Sequence, residues 1–246
     1  MKKTFLLISV LSLFAAIVSC SKNEDSLEGG VYVNKQSKRL TSYNYKFGSN
    51  WTRCNLSYDS KGRLDKITVN KNSYTIDYSR RVVESSGSVI YKFELNNQGY
   101  ISQLSKVNGA WDYFYYESGG YLYKIEGIYN MEYSYNNGSL VSGYRKENTH
   151  SDSFEFNCEN NENIGNICLW EPRLYDHVII TMRMVGLFGK TSKFLVSRRR
   201  ISSSYKTEDY YYHYIIDPDG YVSYMYCMFN KRESKYEELE LTYENY

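Results

Sequence analysis

The sequence predicts an all-β fold: an antiparallel meander of hairpin repeats curled into a barrel-like sheet, with one short helix near 175–187. Three observations lead there. Apolar and aromatic residues alternate with polar ones at period two through most of the chain, and a short glycine-hinged unit recurs. Tyrosine, with 29 residues against only 2 prolines, dominates the composition. Period-two alternation marks a half-buried strand, and tyrosine suits a pleated surface with one apolar and one wet side.

The unit is clearest in Leu56-Ser-Tyr-Asp-Ser-Lys-Gly-Arg-Leu-Asp-Lys-Ile67. Counting Tyr58 as zero, Gly62 stands at four, Leu64 at six and Ile67 at nine. Leu95, Gly99, Ile101 and Leu104 repeat the spacing, as do Tyr116, Gly120, Leu122 and Ile125, and Ile216, Gly220, Val222 and Met225. A shortened copy runs from Tyr135 through Gly138 to Leu140, and a blurred one ends in Ile164-Gly-Asn-Ile167. An Asp or Asn after position zero can bond the backbone two residues on. The glycine supplies the positive φ of a short hairpin loop, and alternation puts Leu64 and its counterparts on the buried face. The unit describes a chain reversal and carries no reaction chemistry. For Asp217-Pro-Asp-Gly220 a calcium loop is the alternative, but the further oxygen ligands and bidentate Glu are missing. It reads as a turn.

Taken in order, the strands are expected around 43–47, 51–58, 64–69, 74–78, 89–95, 112–116, 121–126 and 129–135. No helical face occurs before residue 160. Between Arg173 and Lys190 the apolar residues move to near-helical spacing, with Asp176 as N-cap and Gly189 as stop. Strands resume at 203–217, 222–229 and 236–243. Large residues on both faces of Tyr210-Tyr-Tyr-His-Tyr-Ile-Ile216 predict a central strand covered on both sides.

Residues 1–19 have the form of an export signal: Lys2 and Lys3, then an apolar run from Phe5 to Val18 that is too short to span a bilayer. The run ends in Ile17-Val-Ser-Cys20, which resembles the bacterial lipobox. That resemblance implies that Cys20 becomes the acylated first residue of the mature protein, held by lipid alone at about 0.8 kcal/mol per buried CH₂. Residues 20–30 are polar and end in Gly29-Gly30, a flexible tether. The pair Glu24-Asp25 resembles the signals that carry lipoproteins to the surface of Bacteroidetes-type cells. Residues 31–246 suit a single β-barrel-like domain. The expected place is the outer membrane, facing periplasm or cell surface, with the lipid as the contact to the membrane.

Candidate sites are few. Net charge is +2, so a nucleic-acid partner is not indicated. Cys54, Cys158, Cys168 and Cys227 remain after Cys20. Cys158 and Cys168 flank one predicted turn and could form a disulfide worth roughly 2 to 3 kcal/mol; equally, all four could be small buried hydrophobes. No Cys-x-x-Cys spacing points to zinc, and no motif implies a cofactor. His150, His177 and His213 lack a recognisable nucleophile and carboxylate arrangement. Glu233, Glu237, Glu238 and Glu240 fall in a terminal strand that reads as solvated. Arg198-Arg199-Arg200, read as a loop, could grip an acidic glycan or phosphate, although such a run is more often merely solvated. Trp51, Trp111 and Trp170 could stack on sugars, but burial statistics favour aromatics inside the barrel.

Two resemblances carry further. Tyr58-Asp-Ser-Lys-Gly-Arg-Leu64 resembles the tyrosine-aspartate repeat of RHS-type shell proteins. Met184-Val-Gly-Leu-Phe-Gly-Lys-Thr-Ser-Lys-Phe-Leu195, with the lipobox and the glycine turns, resembles a family of Bacteroidetes lipoproteins known as a domain of unknown function with a porin-like fold. That family has Leu-Pro-Ser next; Leu195-Val-Ser197 has lost the proline. The resemblance implies a lipid-anchored barrel and no activity. A membrane-spanning barrel needs an apolar outer face on every strand, whereas Lys46, Asp77, Lys92, Glu94, Glu132, Glu238 and Glu240 occupy the second faces here. The expectation is a non-enzymatic binding or scaffolding protein with a glycan or protein partner. The competing class is a hydrolase of envelope or dietary polysaccharide, which needs two carboxyls about 5 to 10 Å apart in a groove; a filled barrel with an aromatic surface patch favours binding.

Overall fold

The computed structural model describes residues 38–127, 130–147, 150–168, 176–230 and 234–245. The predicted signal peptide, Cys20, the tether and Trp170 lie outside the described residues. The strands are β1 (Lys38–Phe47), β2 (Asn50–Tyr58), β3 (Leu64–Val69), β4 (Asn72–Asp77), β5 (Val82–Ser85), β6 (Ser88–Leu95), β7 (Ile101–Lys106) and β8 (Trp111–Tyr116). They continue with β9 (Leu122–Glu126), β10 (Asn130–Asn136), β11 (Ser139–Glu147), β12 (His150–Glu162), β13 (Phe194–Ser203), β14 (Thr207–Ile216), β15 (Val222–Phe229) and β16 (Lys235–Asn245), with helix α1 (His177–Met184) before β13. Each strand pairs with its sequence neighbours, and β1 pairs with β16, so the meander closes as a barrel.

The recurring unit is the hairpin it was expected to be. Gly62, Gly99, Gly120, Gly138 and Gly220 all stand at chain reversals, with φ between +76° and +91°. In four copies the same two backbone bonds close the loop: Asp59 N–H donates to Arg63 O and Gly62 N–H to Asp59 O, with the same pattern from Asn96, Glu117 and Asp217. Where position one is Asp or Asn, its Oδ1 also accepts from the amides two and four residues on, as Asp59 does from Lys61 and Arg63. Beyond each of these turns one residue of the outgoing strand (Asp65, Ser102, Tyr123 or Ser223) is skipped by the pairing. A bulge bends and twists its strand. Repeated at one position of successive hairpins, it curls the sheet until its edges meet.

Those turns link an even-numbered strand to the next, so in an up-and-down barrel they share one rim. Tyrosines lock that rim. Tyr78, Tyr116 and Tyr135 point inward and donate to Leu64 O, Ile101 O and Leu122 O. Each accepting carbonyl lies two residues before the point where pairing with the following strand begins, at Lys66, Gln103 and Lys124. The phenol therefore replaces a missing ladder bond. Position five of each unit packs on the next such tyrosine: Tyr100 on Tyr116 and Tyr121 on Tyr135, both at 5.1 Å, and the Arg63 guanidinium on Tyr78 at 4.4 Å. This interlock accounts for part of the tyrosine excess.

From the same rim the chain leaves β12, turns into the lumen and returns at β13. Leu187 O accepts from Ile101 N–H, Lys190 N–H donates to Gly120 O, and Lys193 N–H donates to Gly138 O. Helix α1 begins as expected at Asp176, whose Oδ1 accepts from Val178 N–H. It stops earlier than predicted: Gly186, at φ +86°, ends it, with Gly186 N–H donating to Arg183 O and Leu187 N–H to Met182 O. Gly189 instead presses the returning strand against the rim, since a Cβ there would stand 2.5 Å from Gly120 O. Val178, Ile180, Met182, Leu187 and Phe188 are buried in one cluster with the inward side chains of the wall.

Four expectations are corrected. The blurred copy at 164–167 is a brace and no hairpin: Asn166, at φ +52°, donates to Arg183 O and Gly189 O and accepts from Thr191. The stretch 210–216 is covered only on its inner side, because no second layer lies over the wall among the described residues; Ile215 is 58% exposed. No disulfide joins the four described cysteines, so the Cys158–Cys168 bridge is not formed and Cys158 Sγ instead lies against Leu140 O. The arginine run, read as a loop, lies within β13, one of several strands (with β5, β7, β11 and β12) that periodicity did not single out.

Candidate functional site

The strand position of the arginine run sends its members to opposite sides. Arg198 and Arg200 point outward and share Asp209, with Arg198 donating through Nε and Nη2 at 3.0 and 2.8 Å. Arg199 turns inward, only 6% exposed, its guanidinium 4.2 Å from the centre of the Tyr210 ring. The three cannot grip one anion. In the lumen Arg199 faces Glu237, whose carboxyl burial pushes up to about 7 against the opposing pull of Arg199 and a hydrogen bond from Tyr45. Its neighbours Glu238 and Glu240 face outward. Glu238 binds Lys46 Nζ at 2.6 Å and Lys235 Nζ at 3.1 Å, which with Tyr224 hold its carboxyl down at about 2. Asp217 and Asp219 both meet Lys38. Glu233 lies outside the described residues.

His177 and His213 are packed, whereas His150 is exposed. His177 sits between Tyr43 and Tyr45, with ring centres 6.4 and 5.5 Å away, and burial lowers its pKa. His213 stacks on Tyr226 across the β14–β15 pair at 4.7 Å, and His150 meets the edge of Tyr205. No cluster of His, Cys, Asp and Glu that could hold a metal ion occurs among the described residues.

The two described tryptophans, Trp51 and Trp111, point the other way from the burial expectation. Trp51 is outside and 46% exposed, beneath Lys46 Nζ at 5.4 Å. Trp111 opens a row of rings on the outer face of β8. There Trp111, Tyr113 and Tyr115 occupy alternate positions, so their side chains leave the wall about 7 Å apart. Tyr113 is 41% and Tyr115 37% exposed, and Tyr123, held out by the bulge at the start of β9, lies 6.4 Å from Tyr115 and is 39% exposed. Lys124 and Glu126 flank the rings: Tyr115 donates to Glu126 Oε2 at 2.7 Å, Lys124 pairs with Glu126 Oε1 at 2.5 Å, and Lys124 Nζ stands 5.6 Å from the Tyr115 ring. These contacts lower the Glu126 pKa and raise those of Lys124 and Tyr115. In register with Tyr115 and Lys124 come Glu132 and Tyr144, the latter 44% exposed.

The inner face of the same strand is anchored. Phe114 meets Phe188 of the plug at 4.9 Å, edge to face, and Tyr116 closes the rim bond to Ile101 O. Sequence reasoning picked out Trp111 but missed Tyr113, Tyr115, Tyr123 and Tyr144. The available signal was Trp111-Asp-Tyr-Phe-Tyr-Tyr116, where both parities carry rings and one set must therefore face outward.

No family model and no curated protein matches the chain. Two solved structures share its architecture. A porin-like protein from Bacteroides uniformis superposes with a TM-score of 0.69 at 18% identity, covering 87% of this chain and all (100%) of that one. A porin-like protein from Bacteroides vulgatus does so with a TM-score of 0.60 at 12% identity, covering 84% of this chain and 99% of the other. At such identities the likeness is one of fold, and the chain has a porin-like β-barrel fold.

Proposed function

We propose that this chain is a lipid-anchored protein of the outer cell envelope, with a non-enzymatic binding or scaffolding role exercised from the outside of its barrel. The observation that carries the reading is the combination of a lumen occupied by the chain's own plug with an outer wall that carries many charged side chains and, on β8, a row of exposed rings. A pore needs an open lumen, and a spanning barrel needs an apolar band; residues such as Lys92, Glu132 and Glu240 give the wall a preference for water. Anchoring then falls to Cys20, in the lipobox-like sequence, and the porin-like neighbours from Bacteroides support an envelope setting.

Fractionation of cells expressing the full chain tests this. Wild type is expected in the outer-membrane fraction and Cys20→Ala in the soluble fraction; retention of the variant on membranes refutes the anchor. Purified protein added to planar bilayers is expected to give no conductance steps, and discrete channel openings would overturn the reading of the wall.

A further inference from the structure

We infer that the outward rings of β8 form a binding site for a neutral, hydroxyl-rich glycan chain lying along the strand, with Tyr123, Lys124 and Glu126 as its flank. The inference rests on the exterior-wall reading above and names the ligand class of that wall.

Four observations carry it. The rings of Tyr113, Tyr115 and Tyr123 are each more than a third exposed on a wall otherwise rich in charge, an arrangement that leaves apolar faces in water unless something covers them. Trp111, Tyr113 and Tyr115 lie in line, three ring positions over about 14 Å of one strand, which suits a chain of flat units better than a single compact molecule. The Lys124–Glu126 pair sets donors and acceptors side by side, and Glu132, in register with Lys124, leaves the flank with one excess negative charge. That matches hydroxyl groups and disfavours an anionic ligand. The surface supplies ring faces and almost no aliphatic side chains, whereas a protein interface needs a packed apolar centre. The sugar's axial C–H groups would sit on the rings while its hydroxyls meet Lys124 and Glu126. With Phe114 and Tyr116 fixing the inner face against the plug and rim, the platform is set before any ligand arrives.

The test is affinity electrophoresis and tryptophan-emission titration of the purified full chain with soluble mannan, xylan, amylose and β-glucan, and with acidic pectin as the charged comparator. Retardation by at least one neutral polysaccharide is expected. Tyr113→Ala/Tyr115→Ala is expected to weaken it roughly tenfold or more, as losing two ring contacts implies, while Trp51→Ala, on another part of the wall, retains it. Unchanged binding by the double variant, with a melting curve like wild type, overturns the site. Retardation by pectin alone, or by none of the polymers, overturns the ligand class. Sedimentation of Cys20→Ala with phosphatidylethanolamine–phosphatidylglycerol vesicles, lost on adding the double tyrosine change, would assign the rings to a lipid surface; it refutes the glycan inference and leaves the exterior-wall reading standing. Shortening of the bound polymer would instead refute the non-enzymatic reading itself.

Discussion

Glu237 makes the barrel less stable as pH rises. Its carboxyl faces the lumen and is raised from 4.5 to about 7 by burial. Below pH 4.5 the group is protonated folded or unfolded and costs nothing. Between 4.5 and 7 the folded chain keeps a proton that the unfolded chain has released, so stability falls through that window and levels off above it. Each tenfold difference in proton affinity between the two states is worth about 1.4 kcal/mol. The loss therefore approaches roughly 3 kcal/mol, an upper limit because the side chain retains some solvent contact. Glu237→Gln keeps an acceptor for Tyr45 and never ionises. It should melt with wild type at pH 4.5 and above it at pH 8.5, by up to roughly 6 to 12 °C for a domain of this size. The assay is thermal unfolding followed by circular dichroism at both pH values. A difference independent of pH, or a variant less stable than wild type at pH 8.5, would refute the reasoning and mean that the ionised carboxylate is well solvated or well paired.

The plug and the rim give further expectations. Gly189→Ala places a methyl group against the backbone oxygen of Gly120 at a positive φ, so it should cost about 3 kcal/mol or more and raise protease cleavage within 176–193, measured by limited proteolysis. Asn166→Ala removes the bonds to Arg183 O, Gly189 O and Thr191; chemical denaturation should register a loss of about 2 to 4 kcal/mol. Tyr78→Phe strands Leu64 O at the rim, for about 1 kcal/mol by the same measurement. With no disulfide among Cys54, Cys158, Cys168 and Cys227, denatured Cys20→Ala protein should bind four equivalents of a thiol reagent without prior reduction; two equivalents would restore a disulfide such as Cys158–Cys168.

The hairpins were legible because their cause is local. A glycine with positive φ, an Asp or Asn one residue after position zero and an apolar residue at position six specify a reversal and its buried side without reference to anything distant. The same locality explains Asp176 as the N-cap. Periodicity did not single out β13, because Arg198-Arg199-Arg200 hides the alternation behind like side chains, and placing Arg199 inside and its neighbours outside depends on Asp209 and Tyr210 from β14. Glu237 and Glu238 are adjacent in sequence, yet their proton affinities move in opposite directions, one because of the lumen and one because of two lysines.

By itself, then, the chain determined its all-β character, its glycine turns and its single helix, since each follows from interactions spanning a few residues. Only the tertiary structure decided that the sheet closes at β1 and β16, that residues 176–193 fold inward as a plug, and that the Trp111, Tyr113 and Tyr115 rings are left facing solvent. Those outcomes depend on which strand each residue meets across the barrel, and that partner is set by closure and packing, over separations that no local pattern encodes.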